Sequence, residues 1–279
     1  MPSPLLHIQG ALRLRQGGRL PAVLDEIVGR ETWAYMLGAM VPDLPLFDHF
    51  RLKVGLFLVK RPYPESRWGT VLHSRGAGSL VAALLERALG PGAEAVRAMA
   101  AGMLTHVALD RAMHEPIEAA VRAHIRPTET PTQLHEALEN YQSLVWHRAH
   151  LGCDGVGTPW LREITLGPNG ARRLPPGLVA VLRDALRSTY AAAPGTDQVD
   201  RWADGLHEYR TLLQTPVARI GVRSSELLAR RRPWVAGVEL QPAFERGLDL
   251  AATLLEAAGR TAAGEERALA EVVGDGPLV

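Results

Sequence analysis

The chain has 279 residues, 47% of them apolar and 22% charged, and a net charge of +1. This length and apolar content suffice for a substantial core, which sets disorder aside, and the balanced charge excludes a molecule-wide basic surface of the kind that drives non-specific nucleic-acid binding. The lone cysteine, Cys153, rules out a disulfide within the chain and a cysteine-ligated structural zinc cluster.

From the first residue, "MPSPLLHIQGALRLRQGG" shows no basic leader before its short apolar run, so no secretory signal is expected. No apolar stretch reaches the roughly 18 residues of a membrane span, and "VGLFLVK" is far too short. A soluble cytoplasmic protein is the resulting expectation. A first helix carries His7. Apolar residues at three and four spacing then predict helices over 67–89, 92–113, 131–150, 176–192, 198–219 and 240–259. Pro91-Gly92, "TETPT", "LPPG" and "APGT" punctuate them, and strand patterns are nearly absent. The fold class expected is all-α, one helical domain over 1–279. Residues 152–174 read as a long connection, further packing helices fall within 166–273, and the final "GDGPLV" reads as a fraying tail.

Within the 92–113 region and just beyond it, "GMLTHVALDRAMHEPIE" spaces His106, Asp110 and His114 at intervals of four. A helix turns about 100° per residue, so these three side chains lie one above another on a single face. Their neighbours Met103, Leu104, Val107, Ala108 and Leu109 mark the helix as buried. Burying such polar groups unpaired costs roughly 2–7 kcal/mol each, so something must pair with them. One solution is a metal ion; the other is a histidine–carboxylate network inside an ordinary core.

The rest of the chain bears on that choice. Nine of the ten histidines precede residue 151. His135 and Glu139 in "LHEALEN" repeat the four-residue spacing on another helix, His73 sits in "WGTVLHSRGAGSL", and Asp43 lies in a turn stiffened by Pro42 and Pro45. Each has an ordinary structural role available singly. Together, eight nitrogen and carboxylate groups exceed the needs of one ion and suit a cluster of two or three.

Taken in order, His7, "YMLGAMVPD" ending in Asp43, His73, "HVALDRAMH" and "HEALE" resemble the zinc-dependent phospholipase C family, whose helical fold is shared with single-strand-specific zinc nucleases. The resemblance covers about residues 5–150. It implies one metal held by Asp43, His73, His106 and Asp110, and a second held by His114, His135 and Glu139, with Asp110 bridging. A third site in that family uses the first histidine, here His7, the bridging aspartate and an N-terminal tryptophan, which this chain replaces with Met-Pro-Ser-Pro.

Such a cluster suits hydrolysis of a phosphodiester by a metal-activated bridging hydroxide, with Asp43 as an additional proton acceptor. Zinc fits the ligand types best, and Mn2+ or Fe2+ are alternatives. No nucleophile elbow, Walker loop or His-Glu-x-x-His helix competes. The expected substrate is a small-molecule or lipid phosphodiester. A nuclease on the same scaffold, or a non-catalytic helical interaction protein with a structural metal, remain as alternatives, and the sequence does not define an oligomeric state. His49, His124, His147, His150 and His207 fall outside the scheme. His147 and His150 are read as helix-end cations, and Arg230 to Arg232 as a solvated helix end.

Overall fold

A computed structural model of the chain describes residues 4–59, 61, 66–74, 76–88, 92–157, 167–168 and 171–262. Their architecture is all-helical, with no strand among the described residues. The α-helices in chain order are α1 (Pro4–Gln16), α2 (Ala22–Arg30), α3 (Thr32–Gly38), α4 (Phe50–Leu58), α5 (Arg67–Ser74), α6 (Ala77–Glu86), α7 (Glu94–His124), α8 (Pro131–Leu151), α9 (Pro176–Tyr190), α10 (Thr196–Leu212), α11 (Ala218–Arg231) and α12 (Gln241–Ala262). Short 3-10 turns occupy Leu44–Phe47 and Pro233–Gly237.

Helix α7 is the axis of the molecule. Its stretch from Ala98 to Asp110 is buried on every side, which is what an apolar run with so few charges requires. Helices α1, α2, α3, α6, α8, α9 and α12 all pack on it, and one apolar cluster runs from Leu5 to Ala258. Three glycines set how closely neighbours approach. A Cβ on Gly38 of α3 would sit 2.0 Å from the Met99 carbonyl, and one on Gly102 of α7 would sit 2.0 Å from the Tyr35 carbonyl. On α1, a Cβ at Gly10 would lie 2.4 Å from Leu109 Cδ1. Backbone-to-backbone contact of this kind needs residues without a Cβ.

Several boundaries differ from those the periodicity predicts. The stretch 67–89 divides into α5 and α6, because Gly76 takes a left-handed conformation (φ 75°) that no helix continues. Helix α7 runs to His124 and carries Pro116 within it. Proline takes one N–H out of the ladder, yet the packing around α7 on both sides of that point holds the helix together. The stretch 198–219 ends early, at Leu212, with a turn through Pro216 before α11. Of the connection at 152–174, residues 158–166 and 169–170 lie outside the described residues, as do the N-terminal Met1 to Ser3 and the tail beyond Ala262, which includes the end of the 166–273 packing segment. No described helix is long and apolar enough to cross a membrane.

Candidate metal centre

The helix crossings just described determine which polar groups meet. Close approach of α3 to α7 at Gly38 and Gly102 places the Ala39 carbonyl 2.9 Å from Nδ1 of His106, which donates to it. Beyond Ala39 the chain turns through Pro42 and sets Asp43 at the head of the Leu44–Phe47 turn, fully buried. Contact of α1 with α7 at Gly10 stacks the His7 ring on His106, with centroids 3.8 Å apart and planes inclined by 20°. On α5, Nδ1 of His73 donates to the Gly69 carbonyl at 2.7 Å. Helix α8, whose first turn is capped by Thr130 accepting from Gln133 N, brings in His135 and Glu139. For His73 and His106, a bonded Nδ1–H leaves Nε2 as the free lone pair, the arrangement by which second partners orient metal-ligating imidazoles.

All eight residues singled out in the sequence therefore come together, from four helices and a turn. Asp110 is at the middle. Its Oδ1 lies 3.2 Å from His7 Nε2 and 3.6 Å from His114 Nε2, and its Oδ2 lies 3.0 Å from His106 Nε2 and 3.7 Å from His73 Nε2. His73 Nε2 is also 3.3 Å from Asp43 Oδ1. On the far side, Glu139 Oε1 is 3.5 Å from His114 Nε2 and 2.8 Å from His135 Nε2.

Three sets have one donor atom from each residue within 4.8 Å of the others: His7, His106 and Asp110; Asp43, His73 and His106; and His114, His135 and Glu139. His106 falls in two of them. Since its Nδ1 is bonded to Ala39, its Nε2 can serve one ion. Assigning it to Asp43 and His73 leaves His7 beside Asp110 as an incomplete third set.

Charge and hydrogen bonding at this centre are compatible with a metal site. Both nitrogens of His7 and His114, both oxygens of Asp43 and Asp110, and Nε2 of His73 and His106 are buried without a hydrogen-bond partner. Ten such atoms in one buried spot call for partners beyond the backbone, which neighbouring imidazoles and carboxylates or an ion can supply. Burial by itself would raise Asp110 and Asp43. The surrounding imidazoles outweigh it, His106 foremost, and hold Asp110 well below the usual carboxylate range and Asp43 below it as well. Burial pushes His106 down, but Asp110 and Asp43 overcome it and carry the group up to about 9. Burial, reinforced by His106, lowers His7; burial, with His114 adding to it, takes His135 down to about 3. Buried carboxylates that stay ionised beside imidazole lone pairs form a donor set of nitrogen and oxygen that fits a borderline divalent ion such as zinc. The buried clusters could hold metal ions.

His135 and His73 are the members of the centre most open to solvent. The His135 side chain is 14% exposed and His73 8%, against 4% or less for His7, His106, Asp110 and His114. A surface cleft of about 780 Å³ lined by Arg67, Trp68, Val71 and Ser74 occupies the opposite face of α5 from His73 and is not the mouth of the centre.

Two residues behave otherwise than their sequence positions suggest. His147 is no helix-end cation: it is 1% exposed, its Nδ1 donates to the Ser143 carbonyl at 2.7 Å, and burial lowers its pKa. Arg232 is not solvated; it is buried against Glu129. Neither burial was legible locally, since Gly155 beyond the end of α8 lies against the His147 ring and Arg232 is covered by Glu129 from the turn before α8. His49 is a surface loop residue in a left-handed conformation, and His150 is exposed and paired with Gln241.

No family model matches this chain, and neither a curated protein nor a solved structure is similar to it.

Proposed function

We propose that the protein is a metal-dependent hydrolase of phosphodiester bonds, working at a cluster of two or three divalent ions. One observation carries the proposal: each carboxylate oxygen of the fully buried Asp110 faces its own pair of imidazole nitrogens at 3.0–3.7 Å. A carboxylate so placed is suited to bridge two cations. The resemblance of the ordered motifs to zinc-dependent phospholipase C supports the same class.

Asp43, His73, His106 and Asp110 would hold one ion, and His114, His135 and Glu139, with Asp110, the second. His7 would contribute to a third. Ions clustered in this way acidify a water and neutralise charge on a phosphoryl oxygen. The chain's own groups do the rest. The Ala39 and Gly69 carbonyls fix the tautomers of His106 and His73, and the surrounding apolar walls of α1, α3 and α7 exclude bulk water. Asp43 remains ionised and accepts a proton at a carboxylate oxygen from the attacking water. A phosphodiester would approach by way of His135 or His73, the members most open to solvent. Zinc is the proposed metal, with Mn2+ and Fe2+ as alternatives.

The test is turnover by metal-reconstituted protein on three substrates: an activated bis-aryl phosphate, a phosphatidylcholine analogue and single-stranded DNA. Hydrolysis of the first, abolished by chelation and restored by zinc, is expected. Preference for DNA would assign a nuclease instead, and fully loaded protein inert on all three would mark the metals as structural.

A further inference from the structure

The cleft on the far side of α5 from His73 has no part in the metal centre, yet at about 780 Å³ it has the size of a small-molecule site. It runs between α5, the start of α6 and the end of α9. Trp68, Val71 and Tyr190 give it an apolar wall, and the Trp68 and Tyr190 rings meet edge to face with centroids 6.3 Å apart. Left-handed residues turn the chain at two places on its lining, Gly76 (φ 75°) ahead of α6 and Ala191 (φ 54°) after α9. A Cβ on Gly76 would lie 3.1 Å from Tyr190 Cε1, so the two segments already touch and the cleft is formed without a ligand.

Its charge is of one sign. Arg67 is the only charged residue among the described lining residues, is exposed, and has no ion pair with a described residue. A second guanidinium, that of Arg87, donates to Ser188 Oγ at 3.3 Å and to the Ala83 and Asp184 carbonyls, all of them neutral acceptors. The Asp184 carboxylate is itself taken up by Arg187 at 2.7 Å. The hydroxyls of Ser74, Ser188 and Thr189 donate to carbonyls of their own helices, which leaves Arg67 as the donor for an anion. A planar guanidinium matches the paired oxygens of a carboxylate or phosphate, and the apolar wall suits the body that such a group would be attached to.

We propose that this cleft binds a small organic anion, with a phosphate or carboxylate head on Arg67 and an apolar, ring-sized body against Trp68, Val71 and Tyr190. The inference rests on the cleft alone and not on metal binding or hydrolysis.

The test is titration calorimetry of the full chain, stripped of metal so that no ion takes up the anion, with phenyl phosphate, benzoate, inorganic phosphate and benzyl alcohol. At least one of the two aryl anions should bind saturably, about tenfold or more tighter than inorganic phosphate or benzyl alcohol, and the preference between them assigns the head group. Arg67→Gln, at an exposed position, should weaken that binding about tenfold or more. Ser74→Phe, which puts a ring into the cleft, should abolish it. Both variants should keep the helicity of the parent by circular dichroism. Arg230→Gln, which removes the same charge from an exposed position on α11, should bind like the parent. No saturable binding of either aryl anion, equal binding of inorganic phosphate, or undiminished binding by Arg67→Gln or Ser74→Phe overturns the proposal. Binding in the cleft without turnover by the metal-loaded protein would leave the cleft standing and remove the hydrolase; turnover without such binding would do the reverse.

Discussion

Nε2 of His106 lies 3.0 Å from Oδ2 of Asp110, one helical turn further on, with both side chains fully buried. The other nitrogen of the same ring already donates to the Ala39 carbonyl. Two buried groups so placed could share a cation.

Asp110→Asn keeps the volume of the side chain and removes its charge. With less compensation between them, neighbouring cations repel, so at least one ion should be lost and turnover should fall with it. The loss should exceed the about 10–100-fold typical of removing an outer-shell partner. His150→Ala, at an exposed residue that meets Gln241 and the Trp146 ring, should change neither metal content nor turnover. Metal analysis and rate measurement on both variants check this.

The row of His106, Asp110 and His114 on α7 was legible as a buried polar cluster because a four-residue repeat of His, Asp and His inside an apolar helix places all three side chains on one covered face. Asp43 was legible through its flanking prolines, and His135 with Glu139 through the same four-residue repeat. The outer carbonyls that orient His106 and His73 were not, because they depend on where α3 crosses α7 and on the local turn of α5. Helices α2, α3 and α4 escaped the periodicity because each is only two or three turns long. The break at Gly76 was hidden by an apolar pattern that continues through it, and the continuation of α7 past Pro116 was hidden because proline ordinarily ends a helix. Tertiary packing on both sides of that point decided it.

Metal affinity should depend on pH with a defined sign. Ligation needs a neutral imidazole, whereas metal-free His106 keeps its proton up to about 9. Below that value an ion must displace the proton, and affinity weakens as pH falls, by about tenfold per unit over the range from about 8.5 to 7. Asp43 and Asp110, held ionised, add no proton of their own there. Competition titrations with a zinc indicator across that range read the slope. A flat profile would mean His106 is not displaced by metal.

Glu139→Gln should separate the ions. The residue serves the set with His114 and His135 and is absent from the set with Asp43, His73 and His106. The variant should lose about one equivalent and keep the remainder, whereas Asp43→Asn should remove the other ion. Loss of all metal in both would show that the ions bind only as a unit.

Gly102→Ala tests the helix crossing that orients His106. An added Cβ would meet the Tyr35 carbonyl at 2.0 Å, forcing α3 and α7 apart and drawing Ala39 away from His106. Overpacking of this kind costs about 1–3 kcal/mol, so the thermal midpoint should drop and zinc affinity should fall with it. Gly29→Ala, where no atom lies within 4 Å of the new methyl, should do neither.

The most direct test of the metal centre is the metal content of the purified chain after exposure to zinc and removal of excess. Two or more tightly held ions per chain are predicted, falling on substitution of Asp110. Less than about half an equivalent would contradict the centre altogether and leave His106, Asp110 and His114 as a buried polar network with no ion to hold.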